Sequence, residues 1–345
     1  MSETLKMRVL AALREDVYTS GSLLGGRLGV SRTMIWKTVN QLQLDGYQIE
    51  ASTRLGYRLV AGSDVLSQAE IGRMLQATGL TDWIRQVTYA ETCDSTNLMA
   101  RRGAGEGAPA AGLYVAAEQR AGRGRRGRTW LSAAGENLTF SLLLRPAADP
   151  AALAPVTLFA GLCAAEALNE LLRNELGLIE PVGIKWPNDL IITAGGRKLA
   201  GLLTEMILEE HTVQALIIGI GINVNTIALP EAIADTATSL RITYGRTFSR
   251  VDVLRRILAV LHRRLAQLTD RTWIAEYRRL CLTLDRDVLI RHADGSCSTG
   301  RAVDLDAAGE LIIAGPDGSL QTVRSGEVSV RGLASDAILS TNSVE

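Results

Sequence analysis

From Ala117 to Trp130 the chain reads Ala-Glu-Gln-Arg-Ala-Gly-Arg-Gly-Arg-Arg-Gly-Arg-Thr-Trp. Five arginines fall within nine residues, Arg120 to Arg128. The reading of this run decides the fold. A flexible Gly-Arg tract would bind single-stranded nucleic acid and would need no folded surroundings. An ordered loop needs strands on both sides. Apolar, strand-like runs stand at 112–117 and 138–144, and the run ends in Thr129-Trp130-Leu131, which favours the loop. Its glycines let the backbone turn sharply and approach a ligand. Its arginines carry planar, permanently charged forks that match phosphate and carboxylate.

Outward from this loop, residues 63–283 mix strands and helices. Helical periodicity is strong at 155–172 and 251–268, and strand-like runs stand at 87–90, 190–193, 202–208 and 213–220. Ala194-Gly195-Gly196-Arg197 reads as a hairpin turn leading into Lys198-Leu199-Ala200-Gly201. Residues 1–62 form a unit of their own, bounded at Ala61-Gly62-Ser63-Asp64. Helices are expected at 5–15, at 22–28 and after the Gly29-Val30-Ser31 turn, where Ser31 can cap the third helix. Strands at 47–49 and 57–60 then flank a tip, Thr53-Arg54-Leu55-Gly56. Three helices and a hairpin make the pattern of a winged helix-turn-helix. Its reading helix would offer Ser31, Arg32, Thr33, Trp36 and Lys37, with Arg54 at the wing. A three-helix protein-interaction module fits the same pattern. Eight Lys/Arg against five Asp/Glu in this unit leave a modest formal charge of +3. Residues 284–333 alternate short strands with turns, the spacing of a small β-barrel, and 334–345 read as a frayed polar tail. The fold class is therefore α+β and multidomain.

Over its 345 residues, 37 Lys/Arg balance 37 Asp/Glu, which excludes a wholly basic nucleic-acid coat protein. The four cysteines, Cys93, Cys163, Cys281 and Cys297, are scattered without zinc or disulfide spacing. A signal peptide is not evident, and charges or glycine interrupt the apolar stretches before membrane length. A reducing cytoplasm and no membrane partner are expected.

Four clusters carry chemistry: Asp94-Ser95-Thr96-Asn97; Gln119 through Trp130; Lys185-Trp186-Pro187-Asn188-Asp189 with Gly196-Arg197-Lys198-Leu199-Ala200-Gly201; and Gly219-Ile220-Gly221-Ile222-Asn223-Val224-Asn225. The first could be only a helix cap, the third only a turn, and the last only strand-end glycines. His211, His262 and His292 lie outside all four, and neither GxSxG nor HExxH occurs. Nucleophilic and zinc catalysis are thus poorly supported. The remaining set is cationic and amide-rich, suited to reactions between anions such as carboxylate attack on a phosphate, with Mg²⁺ assisting and Asp189 helping to place it.

These motifs, in this order, resemble those of the biotin–protein ligases. With the winged helix in front, the chain is similar to the bifunctional type that also represses biotin-synthesis genes. The resemblance implies a central domain on the class II synthetase/biotin–lipoate ligase fold and a C-terminal SH3-like barrel. It implies that biotin and ATP give biotinyl-5′-AMP, and that a lysine of a biotin carboxyl carrier protein then takes the biotin. Carried over motif by motif, Ser95, Thr96, Asn97, Gln119, Gly122 and Gly201 would bind biotin. Arg123 and Arg125 would contact carboxylate and phosphate, and Lys198 would bridge them as the leading catalytic residue. Arg126, Arg128, Trp130, Asn188, Asn223 and Arg331 would serve the nucleotide, and Asp189 the metal. Adenylate binding would promote a homodimer that binds a paired operator DNA site. Arg120 and a slightly long turn between Asp189 and Lys198 depart from the family pattern at positions outside the motifs. A purely ligand-sensing repressor, a lipoate or octanoate ligase and an RNA-binding protein are the competing readings.

Overall fold

The computed structural model describes residues 3–14, 17–44, 46–60, 64–210, 212–292, 295–324 and 327–339. The boundary residues Ala61, Gly62 and Ser63, together with His211, Asp294 and everything beyond 339, lie outside the described residues.

The N-terminal unit folds from local signals. Helices α1 (Glu3–Ala12), α2 (Gly21–Leu28) and α3 (Arg32–Leu44) precede a hairpin of β1 (Ile49–Ser52) and β2 (Gly56–Leu59). The Leu23 N–H donates to Ser20 Oγ at 3.1 Å, and Gly29, at φ 70°, ends α2. The Met34 N–H donates to Ser31 Oγ at 3.2 Å, so Ser31 caps α3 as its position predicts. Val9, Leu24, Ile35, Val39 and Leu42 close a core separate from the rest of the chain. The first strand starts two residues later than its apolar pattern predicts. The Tyr47 N–H donates to Leu42 O at 3.0 Å, so Tyr47 closes the helix and does not open the strand.

The central unit is built on one mixed sheet. In chain order its elements are α4 (Gln68–Thr78), β3 (Gln86–Cys93), α5 (Thr96–Gly105), β4 (Gly112–Arg123), β5 (Thr129–Ser132) and β6 (Leu138–Leu144). They continue with α6 (Pro150–Leu153), α7 (Val156–Leu176), β7 (Val182–Lys185), β8 (Asp189–Ile192), β9 (Arg197–Glu209) and β10 (Thr212–Ile222). Four helices follow: α8 (Glu231–Ala234), α9 (Leu240–Tyr244), α10 (Arg250–Arg264) and α11 (Ile274–Leu280). The strands run β3-β4-β6-β10-β9-β8-β7, with β5 folded back onto β4, and only the β3–β4 pair is parallel. Helix α7 fills the core under β7, β8 and β9 and packs against α10. With α6 it forms a stretch, Pro150–Leu176, long and apolar enough to span a bilayer, yet 72% of its most apolar window is buried inside the protein. Asn169 on α7 pins β7: its amide donates to Val182 O and its carbonyl accepts from the Val182 N–H, both at 2.9 Å. The helix predicted over 251–268 relaxes to a 3₁₀ turn at Leu265–Leu268.

The C-terminal strands are β11 (Asp287–Arg291), β12 (Cys297–Leu305), β13 (Leu311–Ala314), β14 (Leu320–Val323) and β15 (Glu327–Val330). They form an antiparallel sheet ordered β14-β13-β12-β11-β15. This small β domain does not have a core to itself, because Val288, Ile290, Ala302, Leu311 and Ile313 belong to the cluster that underlies the central sheet. Trp186 makes the join. It is 3% exposed, its indole N–H donates to Gly309 O at 2.9 Å, and its backbone N–H donates to Thr283 Oγ1 at 2.9 Å. The tail expected to fray from 334 is instead turned back over Ala334–Leu339. Backbone pairing accounts for this: the Ser335 N–H donates to Gly196 O at 3.0 Å, and the Val330 N–H donates to Asp336 Oδ2 at 2.9 Å. Asp64, the first described residue after the domain boundary, is clasped from the other side. Arg250 donates to its carboxylate through its backbone N–H and Nε, each at 2.8 Å, and Asn225 donates through Nδ2 at 2.5 Å.

Trp186→Phe leaves the Gly309 carbonyl buried without its donor. The variant is expected to lose about 1–3 kcal/mol, read as a lower urea midpoint with an unchanged m-value.

Candidate active site

The site is drawn by strand register. Across the sheet, Ala116 on β4 faces Thr139 on β6, which faces Gly221 on β10, then Gly201 on β9, Asp189 on β8 and Lys185 on β7. Residues directly opposite one another lie on the same face. One row therefore runs from small residues, through two glycines, to a carboxylate and an ammonium.

The glycines are a floor. A Cβ at Gly221 would lie 2.5 Å from Trp130 Cε2, and one at Gly201 would lie 3.4 Å from Trp130 Cζ3. Trp130 thus lies flat on bare backbone. Gly122 is needed for a related reason: it pairs with Trp130 in the β4–β5 hairpin, and a Cβ there would meet Trp130 O at 2.4 Å. One row over, a Cβ at Gly219 would meet Asn97 Oδ1 at 2.0 Å.

The end of the site near β3 and α5 is neutral and polar. Ser95 occupies the N-cap position of α5, but its side chain makes no capping bond, so the cap alternative does not account for it. Gln119 Oε1 accepts from the Thr96 N–H at 2.7 Å and from Thr96 Oγ1 at 3.2 Å. Asn97 donates to Leu203 O at 3.1 Å and to Glu205 Oε1 at 2.9 Å, and its carbonyl lies 2.7 Å from Ser141 Oγ. The Asn97 amide is therefore consumed within the protein, and it rests on the bare backbone at Gly219. Ser141 and Glu205 stood outside the motifs. The signal for Ser141 was present: Thr139 and Ser141 alternate in an otherwise apolar strand, and both are fully buried.

The opposite end is cationic. The arginine run starts as the last turn of strand β4 and folds into a hairpin, its tip closed by the Gly124 N–H donating to Arg128 O at 2.7 Å. Arg125 donates to Asn188 Oδ1 at 3.3 Å, and Asn188 donates in turn to Leu202 O at 3.2 Å. Burial lowers the Arg125 pKa from its ordinary value, neighbouring Arg126 adds to this, and Asp189 opposes it. Arg126, at φ 54°, donates to Arg291 O at 3.0 Å and ties the hairpin to the C-terminal β domain. Arg123 and Arg128 are exposed at the rim.

Lys198 reaches this face through an irregularity. Ala200 pairs with Leu190 but Lys198 pairs with Ile191, so Leu199 is an extra residue. The bulge breaks the alternation of β9 and turns Lys198 to the Gly201 side. There its Nζ lies 2.8 Å from Asp189 Oδ1 and 6.0 Å from the centre of the Trp130 ring. Asp189, the carboxylate expected to help place a metal, is also the ion-pair partner of Lys198. Among the described residues no group of three His, Cys, Asp or Glu could hold a metal ion.

Two adjoining cavities result. The narrower, about 160 Å³, runs from Ser95, Thr96 and Gln119 to Arg123 and Arg125. The larger, about 920 Å³, opens toward Asn137, Asn223 and Ile233. Trp130, Lys185, Asp189, Lys198 and Arg128 line both. Asn223 lines the larger cavity while its amide donates to Thr238 O at 3.0 Å. Arg331 is not brought in: its side chain is 85% exposed, 3.8 Å from Asp287, and lines neither cavity. Lys185, whose motif was singled out but which received no role of its own, also lines both. His262 stacks on Trp83 at 4.8 Å, and His292 bonds Ser298; neither lines these cavities.

A separate cationic face lies on the N-terminal unit. Ile35, Thr38, Val39 and Leu42 of α3 are buried, while Arg32, Thr33, Trp36 and Lys37 are exposed, as is Arg54 at the tip of the β1–β2 hairpin.

Residues 89–223 match the Biotin/lipoate A/B protein ligase family, residues 6–58 match an HTH domain, and residues 283–331 match the Biotin protein ligase C terminal domain. The chain is 35% identical over 270 residues to the bifunctional ligase/repressor BirA of Bacillus subtilis, covering 76% of this chain and 79% of that protein. It is 30% identical over 332 residues to the BirA of Salmonella typhimurium, covering 95% and 98%. The solved biotin protein ligase from Aquifex aeolicus in complex with biotin and ATP superposes with a TM-score of 0.59 at 30% identity, over 72% of this chain and 99% of that one.

Gly221→Ala must displace Trp130 from the floor. The variant is expected to fold, with unchanged far-ultraviolet circular dichroism. Its ligand affinity, measured by calorimetry, is expected to fall by about tenfold or more, because overpacking of about 1–3 kcal/mol falls on the bound geometry.

Proposed function

We propose what this chain does from one premise: it belongs to the biotin–protein ligases, in their bifunctional ligase/repressor form. It activates biotin with ATP to biotinyl-5′-AMP, transfers the biotin to a lysine of a carrier protein, and represses biotin-synthesis genes when the adenylate is bound. The observation that carries this reading is the graded site, neutral at Ser95, Thr96 and Gln119 and cationic at Arg123, Arg125, Lys185 and Lys198, along one continuous pair of cavities.

Biotin fits the narrow cavity with its uncharged ring system at the polar end, where Ser95, Thr96 and Gln119 bond it. Its carboxylate then points at Arg123, Arg125 and Lys198. ATP occupies the larger cavity, its base beside Trp130 and Asn223 and its phosphates toward Lys185, Lys198, Arg126 and Arg128. The carboxylate oxygen attacks the α-phosphorus, the bond to the bridging oxygen breaks, and pyrophosphate leaves. Two anions must meet for this to happen, and fixed cations lower that barrier without reorganising. Lys198 is the catalytic residue in this reading: the bulge at Leu199 turns it to the cavity face, where it pairs with Asp189, and from there its ammonium would bridge the carboxylate and the α-phosphate. Mg²⁺ would enter with the ATP, and Asp189, which lines the larger cavity, is the carboxylate that could help place it. The Arg hairpin, anchored to Asn188 and Arg291, covers the mixed anhydride and keeps water away until the carrier lysine arrives. That amine attacks the acyl carbon and releases AMP.

Repression uses the α3 face. Two such faces on an adenylate-promoted homodimer in the cytoplasm would read the two halves of an operator.

Lys198→Ala is expected to slow transfer of labelled biotin from biotin plus ATP to a biotin carrier domain by about 10²–10³-fold. Transfer at the wild-type rate would remove Lys198 from the reaction. Arg32→Ala is expected to lose about 1–3 kcal/mol of operator affinity in a gel shift with biotin and ATP present. Its ligase rate should stay unchanged.

A further inference from the structure

Among the charged groups at the cavity that the resemblance and the site motifs leave without a role, one is held in a buried ion pair. Asp336 lies beyond the last strand, in the turn at Ala334–Leu339. Its carboxylate forms an ion pair with Lys185, and the two side chains are only 10% and 9% exposed. The carboxylate is itself fixed, because its other oxygen accepts from the Val330 N–H at 2.9 Å. The segment that carries it is bolted to the β8–β9 turn. The Ser335 N–H donates to Gly196 O at 3.0 Å, and a Cβ on Gly196, whose φ is 64°, would stand 3.0 Å from Ala334 N. Both Asp336 and Lys185 line the larger cavity.

We propose that Asp336 is a positioning residue for adenylate formation: it holds the Lys185 ammonium at the phosphate end of the cavity and keeps it off Asp189. This role rests on the ligase activity proposed above. Lys185 stands directly opposite Asp189 in the β7–β8 register, and Asp189 already holds Lys198 at 2.8 Å. Two ammonium groups and two carboxylates thus sort into two pairs. Removal of the Asp336 charge leaves a buried ammonium with no partner, which is strongly unfavourable. The carboxylate facing it across the ladder is Asp189. Lys185 then competes with Lys198 for that carboxylate, and Lys198 loses the geometry that the reaction needs. The effect falls on Lys185 and Lys198, whereas Ser95, Thr96 and Gln119, at the far end of the narrower cavity, keep the network that would hold the ring system of biotin.

The test uses full-length wild type, Asp336→Asn and Asp336→Glu. Biotin-dependent ATP–pyrophosphate exchange is measured beside biotin binding in the absence of ATP. Asp336→Asn is expected to lower the kcat of exchange by about tenfold or more, with biotin affinity within about twofold of wild type and most of the rate recovered in Asp336→Glu. Exchange by Asp336→Asn at the wild-type rate overturns the proposal. So does a parallel loss of biotin affinity and rate that Asp336→Glu fails to recover, which would make Asp336 a purely structural contact. No exchange by the wild-type protein would instead overturn the ligase reading itself.

Discussion

A β-sheet ordinarily presents a side chain at every second residue of every strand, and such a surface leaves no room for a flat ligand to lie on it. Here three positions on neighbouring central strands, Gly201, Gly219 and Gly221, carry none, and a Cβ at Gly219 or Gly221 would strike a side chain already resting there. Everything else at the site depends on that bare patch. Trp130 can lie on it only because the arginine hairpin folds back over β4. Asn97 can reach Leu203 and Glu205 only because Gly219 lets it pass. The patch is held flat by the antiparallel ladders on either side and by the apolar helix α7 beneath them. Core packing therefore sets the shape of the cavity, and the exposed loops supply its charge.

That charge is distributed more finely than the arginine run suggests. Arg125 is held by Asn188 and Arg126 by the carbonyl of Arg291, while Arg123 and Arg128 stand exposed at the rim. The lysines are paired as well, each with its own carboxylate. The two lysines and two of the arginines are thus each tied to a specific partner, not left as a pool of loose positive charge. A polyanion that enters exchanges one set of partners for another, and little reorganisation is left for the reaction itself.

The N-terminal unit was legible in the sequence because its signals are local. Ser31 caps the helix that follows it, and the burial of Ile35, Val39 and Leu42 follows from helical spacing alone. The order of the motifs likewise identified the family, and with it the architecture. The misses are non-local. Leu199 reads as an ordinary strand residue, and only its pairing with β8 reveals the bulge that turns Lys198 toward the cavity. Trp186 sits inside a motif that reads as functional, yet it is the bolt between the central sheet and the C-terminal β domain. Gly219 and Gly221 look like routine strand-end glycines until Trp130 and Asn97 are placed above them. Asp336 falls in a stretch whose polarity reads as a tail, and its partner is far away along the chain. Windowed patterns carry periodicity and capping. They do not carry register, and register is what assembled this site.

The Lys185–Asp336 pair has a consequence for synthesis. Its members are 151 residues apart in the chain. Lys185 leaves the ribosome with the strands of the central sheet, whereas its counter-charge follows only after the entire C-terminal β domain has been made. Until then Asp189 is the carboxylate across the ladder from Lys185, and Lys198 must share it. The phosphate end of the central sheet thus takes its final pairing only when the turn at Ala334–Leu339 docks. The charge pattern at the phosphate end therefore depends on the joining of the central sheet to the C-terminal β domain, through the same shared core that buries Val288 and Ile290.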